Sequence, residues 1–477
     1  MGNRMIRVIF SFVIDASPLS AYQGYHLARS ILEHCDVEAG AIHVHVTPQV
    51  NAGVRAVFSD LGCRVVEIAR FGDGRFCNKI AQLAHLEAAD FDLVILLDTD
   101  TLLIADILPH LRSDSLQGKI VDLPNPSWAA LQEIAARAGL PSLPGLVPTD
   151  ANPGETFAGN YNGGFYVIPR GLVATVAREW PRWALWLMES PGPLRRENKE
   201  AHIDQTAMWL TLTANELPTT AVPSNLNYYI HFAGEHRYYT PDFPICLLHY
   251  HDTLNVLGLI APPDALAGEA VEAVAIANAQ IAREFDNRVF WDFRYGKYPE
   301  RGSGVGSRGA SLQYKRILLE GEGLESAASI LDIGCGDLEV IHPFNLRQYL
   351  GLDVSQKAIS VASARRPDWS FRLMSDEMEA VPVAELVLCL EVLIHQTDWA
   401  SYWRVIELAA AKTLSKLIVS GYERDDAQIQ ANHMTYYYEP LAESLARTKR
   451  FRTIEEIGEH TDVKIYRCCV HINATQC

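Results

Sequence analysis

The chain has 477 residues, of which 48% are hydrophobic and 21% are charged, and its formal net charge is −17. A chain of this length holds two or three domains, each long enough to bury a core of its own. The excess of negative charge argues against nucleic acid and anionic membrane as partners. Any bound phosphate therefore has to be held locally, by a metal, a few basic side chains or helix N-termini.

The cysteines and the apolar runs bear on the compartment. The nine cysteines have no repeated spacing, and Cys468 and Cys469 are adjacent. This usage is typical of a reduced protein rather than of a disulfide framework. The apolar run near the N-terminus is too short for a signal peptide, and no run of about 18 apolar residues predicts a membrane-spanning helix. We therefore expect a cytoplasmic protein, a location that also allows peripheral attachment to the inner face of a membrane.

Alternating strand and helix signals predict an α/β fold in both halves of the chain, as two Rossmann-like domains. A strand at residues 8–14 opens the first half. Apolar runs at residues 93–97 and 330–333 are typical of strands buried on both faces of a parallel sheet. A break at residues 261–264 is followed by an alanine-rich helical stretch. We therefore predict a domain at residues 1–262, a helical linker at 263–284 and a second domain at 285–477.

The first strand-end motif is Asp98-Thr99-Asp100. Residues two apart at the end of a strand point to the same side, so the two carboxylates repel unless a cation lies between them. Oxygen ligands of this kind suit Mg²⁺ or Mn²⁺, which commonly bridge substrate phosphates. Such a pair can equally form a polar turn at the end of a strand, and the motif alone does not distinguish the two readings.

Three later features follow the motif in order: Asn162-Gly163 before a predicted buried strand, Asp204-Gln205 at a helix start, and His249 after an apolar run. This series resembles the family-8 retaining glycosyltransferases of the GT-A fold over residues 6–260. The chain has Asn-Gly-Gly where that family usually has Asn-Ser-Gly, and it lacks the Lys-Pro-Trp that often follows the late histidine. Retention or inversion of the anomeric configuration stays open.

The resemblance implies a role for each matching residue. Asp98, Asp100 and His249 would bind Mn²⁺ or Mg²⁺, which neutralises charge on the leaving diphosphate of a nucleotide sugar such as a UDP-sugar. Asn162 and Gly163 would lie against the donor sugar. The acidic and amide side chains of the helix start, Asp204 and Gln205, would face the sugar and the reacting centre.

Other residues of this half have two readings. Arg75 and Lys79 precede or begin a helical pattern and would contact the nucleotide or donor sugar, or they are solvated surface charges. Asp15 ends the first strand, where a uridine ring could stack. His251 competes with His249 as a ligand if its segment is extended, and is otherwise a loop histidine. Four tryptophans could stack on sugars, but their spacing favours the core; they are Trp180, Trp183, Trp186 and Trp209.

The second strand-end motif is Asp332-Ile333-Gly334-Cys335-Gly336, with Asp353 closing the next strand. This spacing suits a glycine loop and a ribose-binding acid. A dinucleotide fingerprint would need glycine or alanine at position 339, where the chain has Glu339. The motif instead resembles motif I of class I S-adenosylmethionine (SAM)-dependent methyltransferases, over residues 285–477. The resemblance implies that Asp332, Gly334, Gly336 and Asp353 bind SAM.

Further residues of this half complete the resemblance. Asp376 follows the third strand and would accept the adenine amino group. His395 is the candidate general base for a sugar hydroxyl, and Glu391 would orient it or replace it. Asp337 would touch the methionine amino group or cap a helix. The glycine- and serine-rich residues 302–309 would form a lid or a flexible linker.

The combined reading is a bifunctional enzyme of glycan biosynthesis that transfers a sugar to a glycan or glycoside acceptor and O-methylates a sugar hydroxyl. A methyltransferase with a non-catalytic glycan-binding module is an alternative, as is a tailoring enzyme for a natural product. The donor, the acceptor, the methylated position, the order of reactions and the oligomeric state are not determined by the sequence.

Overall fold

The computed structural model describes residues 6–86, 89–232, 236–262, 266, 268–374 and 380–470. The chain divides into two compact units, one formed by residues 1–255 and 259–281 and the other by 256–258 and 282–477. The helical stretch predicted as a linker is a helix, Gly268–Arg283, and most of it is counted with the first unit.

The first unit contains twelve strands among the described residues. They are β1 (Val8–Ile14), β2 (Ile42–Val46), β3 (Arg64–Glu67), β4 (Leu93–Leu97), β5 (Thr101–Leu103), β6 (Leu116–Gly118), β7 (Leu146–Pro148), β8 (Glu155–Phe157), β9 (Phe165–Pro169), β10 (Thr219–Ala221), β11 (Tyr228–Tyr229) and β12 (Leu247–His249).

Its α-helices are α1 (Pro18–His34), α2 (Ala52–Asp60), α3 (Trp128–Arg137), α4 (Arg170–Glu189), α5 (Gly192–Arg196), α6 (Ile203–Ala214) and α7 (Gly268–Arg283). Its 3₁₀ helices are Ala39–Ala41, Phe76–His85, Leu108–His110, Glu200–His202 and Ser224–Leu226. Two helix starts carry a side-chain cap, since Asn51 and Ser127 accept hydrogen bonds from backbone N–H groups of α2 and α3.

The main sheet of the first unit has the order β10-β6-β9-β4-β1-β2-β3. Strands β3, β2, β1 and β4 are parallel, whereas β9 runs antiparallel to β4 and β6. Central strand β4 is buried along its whole length, which explains its uninterrupted apolar sequence. A second sheet, β11-β12-β5, places His249 at the end of β12 opposite Thr101 of β5.

The four tryptophans considered as a sugar-stacking surface, Trp180, Trp183, Trp186 and Trp209, instead belong to or pack against the core of the first unit. Trp180 and Trp209 are fully buried, Trp183 is 7% exposed, and Trp186 packs against the same cluster. The indole N–H of Trp180 donates to the backbone carbonyl of Asp204, so the core directly supports the start of α6.

The described residues of the second unit form seven strands in one sheet. They are β13 (Ile330–Ile333), β14 (Tyr349–Asp353), β15 (Ser370–Leu373), β16 (Ala384–Cys389), β17 (Thr413–Gly421), β18 (Phe451–His460) and β19 (Val463–Val470). Its α-helices are α8 (Asn287–Lys297), α9 (Gly309–Gly321), α10 (Gln356–Arg365), α11 (Trp399–Lys412), α12 (Ala427–Ala431) and α13 (Leu441–Arg447). Its 3₁₀ helices are Val305–Ser307, Leu324–Ser326 and Leu393–His395.

The strand order of this sheet is β15-β14-β13-β16-β17-β19-β18, parallel except where β19 pairs with β17 and β18. The chain leaves β13 towards β14 and β15, then returns to place β16 on the other side of β13. This reversal creates a crevice at the carboxyl ends of β13 and β16, the position where open α/β sheets bind ligands. Alternate residues of β13 enter different buried clusters, Leu331 and Ile333 in one and Ile330 in the other.

No helix in the described part of the chain combines the length and the hydropathy that a membrane crossing requires.

Candidate active sites

The first site is a cluster of Asp98, Asp100 and His249, whose candidate ligand atoms all lie within 4.8 Å of one another. The two aspartates follow β4, and His249 ends β12. His249 Nε2 lies 3.4 Å from Asp100 Oδ1. Burial by itself would raise the pKa of Asp100, but His249 outweighs it and the pKa falls to about 2. The carboxylate is therefore ionised at neutral pH.

A divalent cation suits this cluster. Asp100 Oδ1 is buried without a hydrogen-bond partner among the described residues. Two carboxylates and an imidazole are a donor set that Mn²⁺ accepts. The glycine pair makes room for the histidine, because a Cβ on Gly164 would lie 2.5 Å from His249 Cε1. The residues present fit a metal ion.

Lys79 occupies one side of the same cluster. Its Nζ lies 2.5 Å from Asp98 Oδ1 and 3.2 Å from Asp204 Oδ2, and it donates to the carbonyl of Gly163 at 3.1 Å. Burial acts to lower the pKa of Lys79, but the two carboxylates raise it overall. Burial raises the pKa of Asp204, and Lys79 opposes that rise. Lys79 is thus a fixed cation that joins β4, the glycine pair and α6.

The other predicted site residues of the first unit differ in whether they adjoin the cluster of Asp98, Asp100 and His249. Asn162 and Gly163 adjoin it, and a Cβ on Gly163 would lie 3.2 Å from Asp204 Oδ2. The Gln205 amide donates to the backbone of Asn125 at 2.6 Å. Arg75 is exposed at the start of the 3₁₀ helix Phe76–His85, and the described contacts do not link its side chain to the cluster.

Two other candidate residues of the first unit, His251 and Asp15, have contacts of a different kind. His251 has a φ of 54°, so its segment is not extended and the side chain does not repeat the direction of His249. It groups instead with His231 and Asp252. The carboxylate of Asp15 accepts hydrogen bonds from Ser17 N and Ser20 Oγ, which ties it to the start of α1.

The second site is an open pocket of about 900 Å³ at the carboxyl ends of β13, β14 and β16. Its lining includes six of the seven predicted positions that the structure describes in this unit, namely Asp332, Gly334, Asp337, Asp353, Glu391 and His395. Gly336 lies in the loop between them. Asp376 falls in residues 375–379, which lie outside the described residues.

The glycine loop has the backbone that glycine permits. Gly334 and Gly336 have φ values of 76° and 56°. Gly336 N–H donates to Asp353 Oδ2 at 2.9 Å, and Ser355 N–H donates to Asp353 Oδ1 at 2.9 Å. A Cβ on Gly336 would overlap Ser303 Oγ. The loop is therefore closely packed and its glycines are required.

The pKa values of the buried acids in the pocket are shifted in different directions. Burial raises the pKa of Asp332 to about 7 and that of Asp353 to about 6. Tyr349 Oη donates to Asp332 Oδ2 at 2.6 Å and partly offsets the burial. Asp337 behaves differently: burial acts to raise its pKa, but Arg308 at 2.5 Å lowers it overall.

Asp337 holds the glycine- and serine-rich segment, residues 302–309, in place. Besides Arg308, Ser303 Oγ donates to Asp337 Oδ1 at 2.9 Å. The residues after Asp337 form turns, so Asp337 does not cap a helix there, which was one of the two roles that the sequence predicted for it. Because Ser303 and Ser307 line the pocket, the segment is a wall of the site.

Glu391 does not orient His395, contrary to the sequence-based expectation. No helical turn joins them, since Glu391 has a φ of 58° and precedes the 3₁₀ turn Leu393–His395. Its carboxylate lies 2.5 Å from the buried Lys315 Nζ. His395 Nδ1 lies 2.7 Å from the backbone carbonyl of Met434, which fixes the ring. Burial lowers the pKa of His395, so the imidazole is neutral at pH 7 with Nε2 unprotonated.

Several residues of this pocket escaped sequence reasoning. Lys315 donates to the carbonyl of Gly306 at 2.7 Å and so joins Glu391 to the glycine- and serine-rich segment. Asp292 Oδ1 accepts from Ser355 Oγ at 2.6 Å and supports the start of α10. Neither residue carries a local motif. Asp292 does not line the pocket itself but follows Trp291, which does.

Comparisons with known proteins found solved structures that are similar to part of the chain. No protein-family model matches the chain, and no curated protein matches it. Part of the chain is similar to magnesium protoporphyrin IX methyltransferase (ChlM) from Synechocystis PCC 6803 with bound SAH, at 17% identity and a TM-score of 0.29, covering 39% of this chain and 90% of that one.

Two more solved structures are similar. N-methyltransferase NodS from Bradyrhizobium japonicum WM9 has 16% identity, a TM-score of 0.28 and coverages of 34% and 87%. The methyltransferase domain of bacterial CtHen1-C has 15% identity, a TM-score of 0.27 and coverages of 34% and 97%. All three structures are similar to only part of this chain, and at these TM-scores the similarity carries no argument about what the chain binds or does.

Proposed function

We propose that the second unit is a SAM-dependent methyltransferase that acts on a hydroxyl group. The observation that carries this is the pairing of Gly336 N–H with Asp353 at the topological switch point, beside a pocket containing a neutral histidine. Asp353 ends β14 where a ribose-binding acid is expected. Glu339 at the position of a third glycine argues against a dinucleotide, because it would block close approach to a pyrophosphate.

When bound, SAM supplies an electrophilic methyl group on a sulfonium. The chain itself contributes alignment and proton removal. His395 Nε2 is free to accept the hydroxyl proton, because Nδ1 is committed to the Met434 carbonyl. As the acceptor oxygen forms its bond to the methyl carbon, the carbon–sulfur bond breaks and S-adenosylhomocysteine leaves.

Trp291 supports a sugar as the acceptor. It lines the pocket, and its ring centroid lies 5.1 Å from that of His395. Asn287 accepts from the Trp291 indole N–H at 2.9 Å and donates to the His395 carbonyl at 2.6 Å. An indole face held beside the base can stack on the apolar face of a sugar ring while a hydroxyl reaches Nε2.

SAM binding is the direct test. We expect the purified chain to bind SAM and S-adenosylhomocysteine in calorimetry, and Asp353→Asn to weaken both. Asp368→Asn, an exposed aspartate, serves as the matched control. A chain that binds neither ligand, or an Asp353→Asn variant with unchanged affinity, would reject the proposal.

A second function is favoured by the Asp98, Asp100 and His249 cluster. We propose that the first unit transfers a sugar from a nucleotide donor with the help of Mn²⁺ or Mg²⁺. The ion would bind these three residues and neutralise the leaving diphosphate. A glycan-binding module would not need two carboxylates beside a buried imidazole.

Release of nucleotide from a panel of nucleotide sugars tests this function, with Mn²⁺ or with EDTA and with candidate acceptors present. We expect metal-dependent turnover of one donor and its loss in Asp100→Asn. Turnover that persists in EDTA or in Asp100→Asn would reject a metal-assisted transferase. Sugar binding without turnover would favour the binding-module alternative.

A further inference from the structure

We propose that Asn227, on the loop before β11, is a positioning residue that fixes the tautomer of His249 and aims Nε2 at the metal. The inference rests on the proposed metal site. Asn227 lies 22 residues before His249 and is fully buried. It belongs to none of the strand-end motifs that point to the site.

The donor and acceptor of each hydrogen bond that leads to His249 can be assigned by starting from a backbone N–H. Gly164 N–H can only donate, and it lies 2.9 Å from Asn162 Oδ1, so this atom of Asn162 is the oxygen. The other end of the same amide lies 3.3 Å from Asp122 Oδ2, which can only accept when ionised. The orientation of the Asn162 side chain is therefore determined at both ends.

That orientation determines the next two residues in turn. Asn227 Nδ2 lies 3.2 Å from Asn162 Oδ1 and has to donate to it. The oxygen of Asn227 then faces His249 Nδ1 at 3.1 Å, so Nδ1 carries the hydrogen. In the neutral imidazole Nε2 is left with its lone pair.

The tautomer of His249 determines what its Nε2 presents to Asp100. Its buried Oδ1 has no hydrogen-bond partner among the described residues and lies 3.4 Å from His249 Nε2. When the imidazole is neutral, its Nε2 lone pair faces this carboxylate oxygen, and the contact is favourable only with a proton or a metal ion between the two atoms. Partners of this kind, which fix the tautomer of a ligating histidine, typically contribute 10- to 100-fold in metal affinity.

The test measures binding of Mn²⁺ alone to the full chain by calorimetry. We expect Asn227→Ala to weaken Mn²⁺ binding roughly 10- to 100-fold. Asn227→Asp keeps an oxygen for the imidazole but loses the donor to Asn162, so it should weaken Mn²⁺ binding less than Asn227→Ala does. Asn225→Ala is the matched control, since Asn225 is equally buried but bonds to the backbone of residues 240 and 243.

The outcomes separate this inference from the metal site itself. If the wild type binds Mn²⁺ and Asn227→Ala binds it equally well, the inference is wrong and the metal site stands. If the wild type binds no Mn²⁺, both are wrong. Should Asn227→Ala fail to fold, ¹⁵N NMR of His249, assigned with His249→Gln, decides: a protonated Nδ1 and an unprotonated Nε2 are expected, and the opposite tautomer overturns the inference.

Discussion

His395 lines the pocket, and its ring is held by contacts that leave little rotational freedom. Nδ1 is committed to the Met434 carbonyl, Asn287 binds the His395 backbone, and Trp291 packs against the ring. A base in this setting needs no carboxylate partner. Its reactivity comes from burial, which favours the neutral form.

We predict that His395→Gln lowers kcat for methyl transfer by about 10²- to 10⁴-fold, the usual contribution of a general base. SAM affinity should be unchanged, because the contacts at Gly336 and Asp353 remain. In the wild type the lowered pKa of His395 should keep kcat constant down to pH values below its ordinary pKa, about 6.5. A variant with full kcat, or a wild type that loses activity above pH 7, would contradict the assignment.

Burial raises the pKa of Asp332, whereas it lowers the pKa of His395. Its folded-state pKa of about 7 exceeds the ordinary value of about 3.9, so between these pH values the folded chain binds more protons than the unfolded chain. This group therefore lowers the stability as pH rises from about 4 to about 7.

We predict that Asp332→Asn raises the Tm of the second unit relative to wild type at pH 8, and that the gain shrinks towards pH 4. Asparagine can still accept from Tyr349 but carries no charge to desolvate. Thermal unfolding at both pH values measures the effect. A gain of equal size at pH 4 and pH 8 would exclude titration of Asp332 as its cause.

At the scale of elements, the segment at residues 302–309 depends on two ion pairs and one close approach. Arg308 binds Asp337, and Lys315 of α9 binds both Glu391 and the Gly306 carbonyl. A Cβ on Gly306 would overlap the Glu391 carboxylate. A side chain at position 306 would therefore displace either the segment or the Glu391 carboxylate.

We predict that Gly306→Ala lowers kcat/KM for methyl transfer roughly 10- to 100-fold by displacing this wall of the pocket. Gly321→Ala is the control, because a Cβ there meets nothing within 4 Å and position 321 lies in α9. Alanine in that helix should be neutral or stabilise by up to about 1 kcal/mol. Equal activity of the two variants would show that the segment does not shape the site.

At the scale of the whole molecule, stability against acid should be set in part by buried histidines in the main sheet of the first unit. His43 and His45 lie on β2, and His45 is fully buried with Nδ1 3.1 Å from Ser11 Oγ. Burial lowers the pKa of His43 to about 4 and that of His45 to about 3. The unfolded chain therefore binds more protons below about pH 6.5, and stability falls as the pH falls from there.

We predict that His45→Asn loses less stability than the wild type between pH 7 and pH 4, whatever its stability at pH 7. Chemical unfolding followed at several pH values measures the slope. Identical slopes for the two proteins would show that His45 does not titrate in this window.

Much of the fold follows from local sequence. The uninterrupted apolar run of β4 and the apolar start of β13 predicted buried parallel strands, and the acids and glycines that follow predicted where the strands end. The spacing of the tryptophans in α4 predicted a core face. These features are readable because strand burial and helix periodicity act over a few neighbouring residues.

The orientation of the site residues depends on contacts between parts of the chain that are far apart in sequence. Lys315 and Glu391 are 76 positions apart, and Asn227 and Asn162 are 65 apart, so no local pattern connects them. The same applies to the Met434 carbonyl, which replaced Glu391 as the group that orients His395. By itself the sequence determined which residues end the strands and offer the chemistry; the tertiary structure decided which hydrogen bonds orient them, because donor and acceptor directions depend on how segments far apart in the chain pack together.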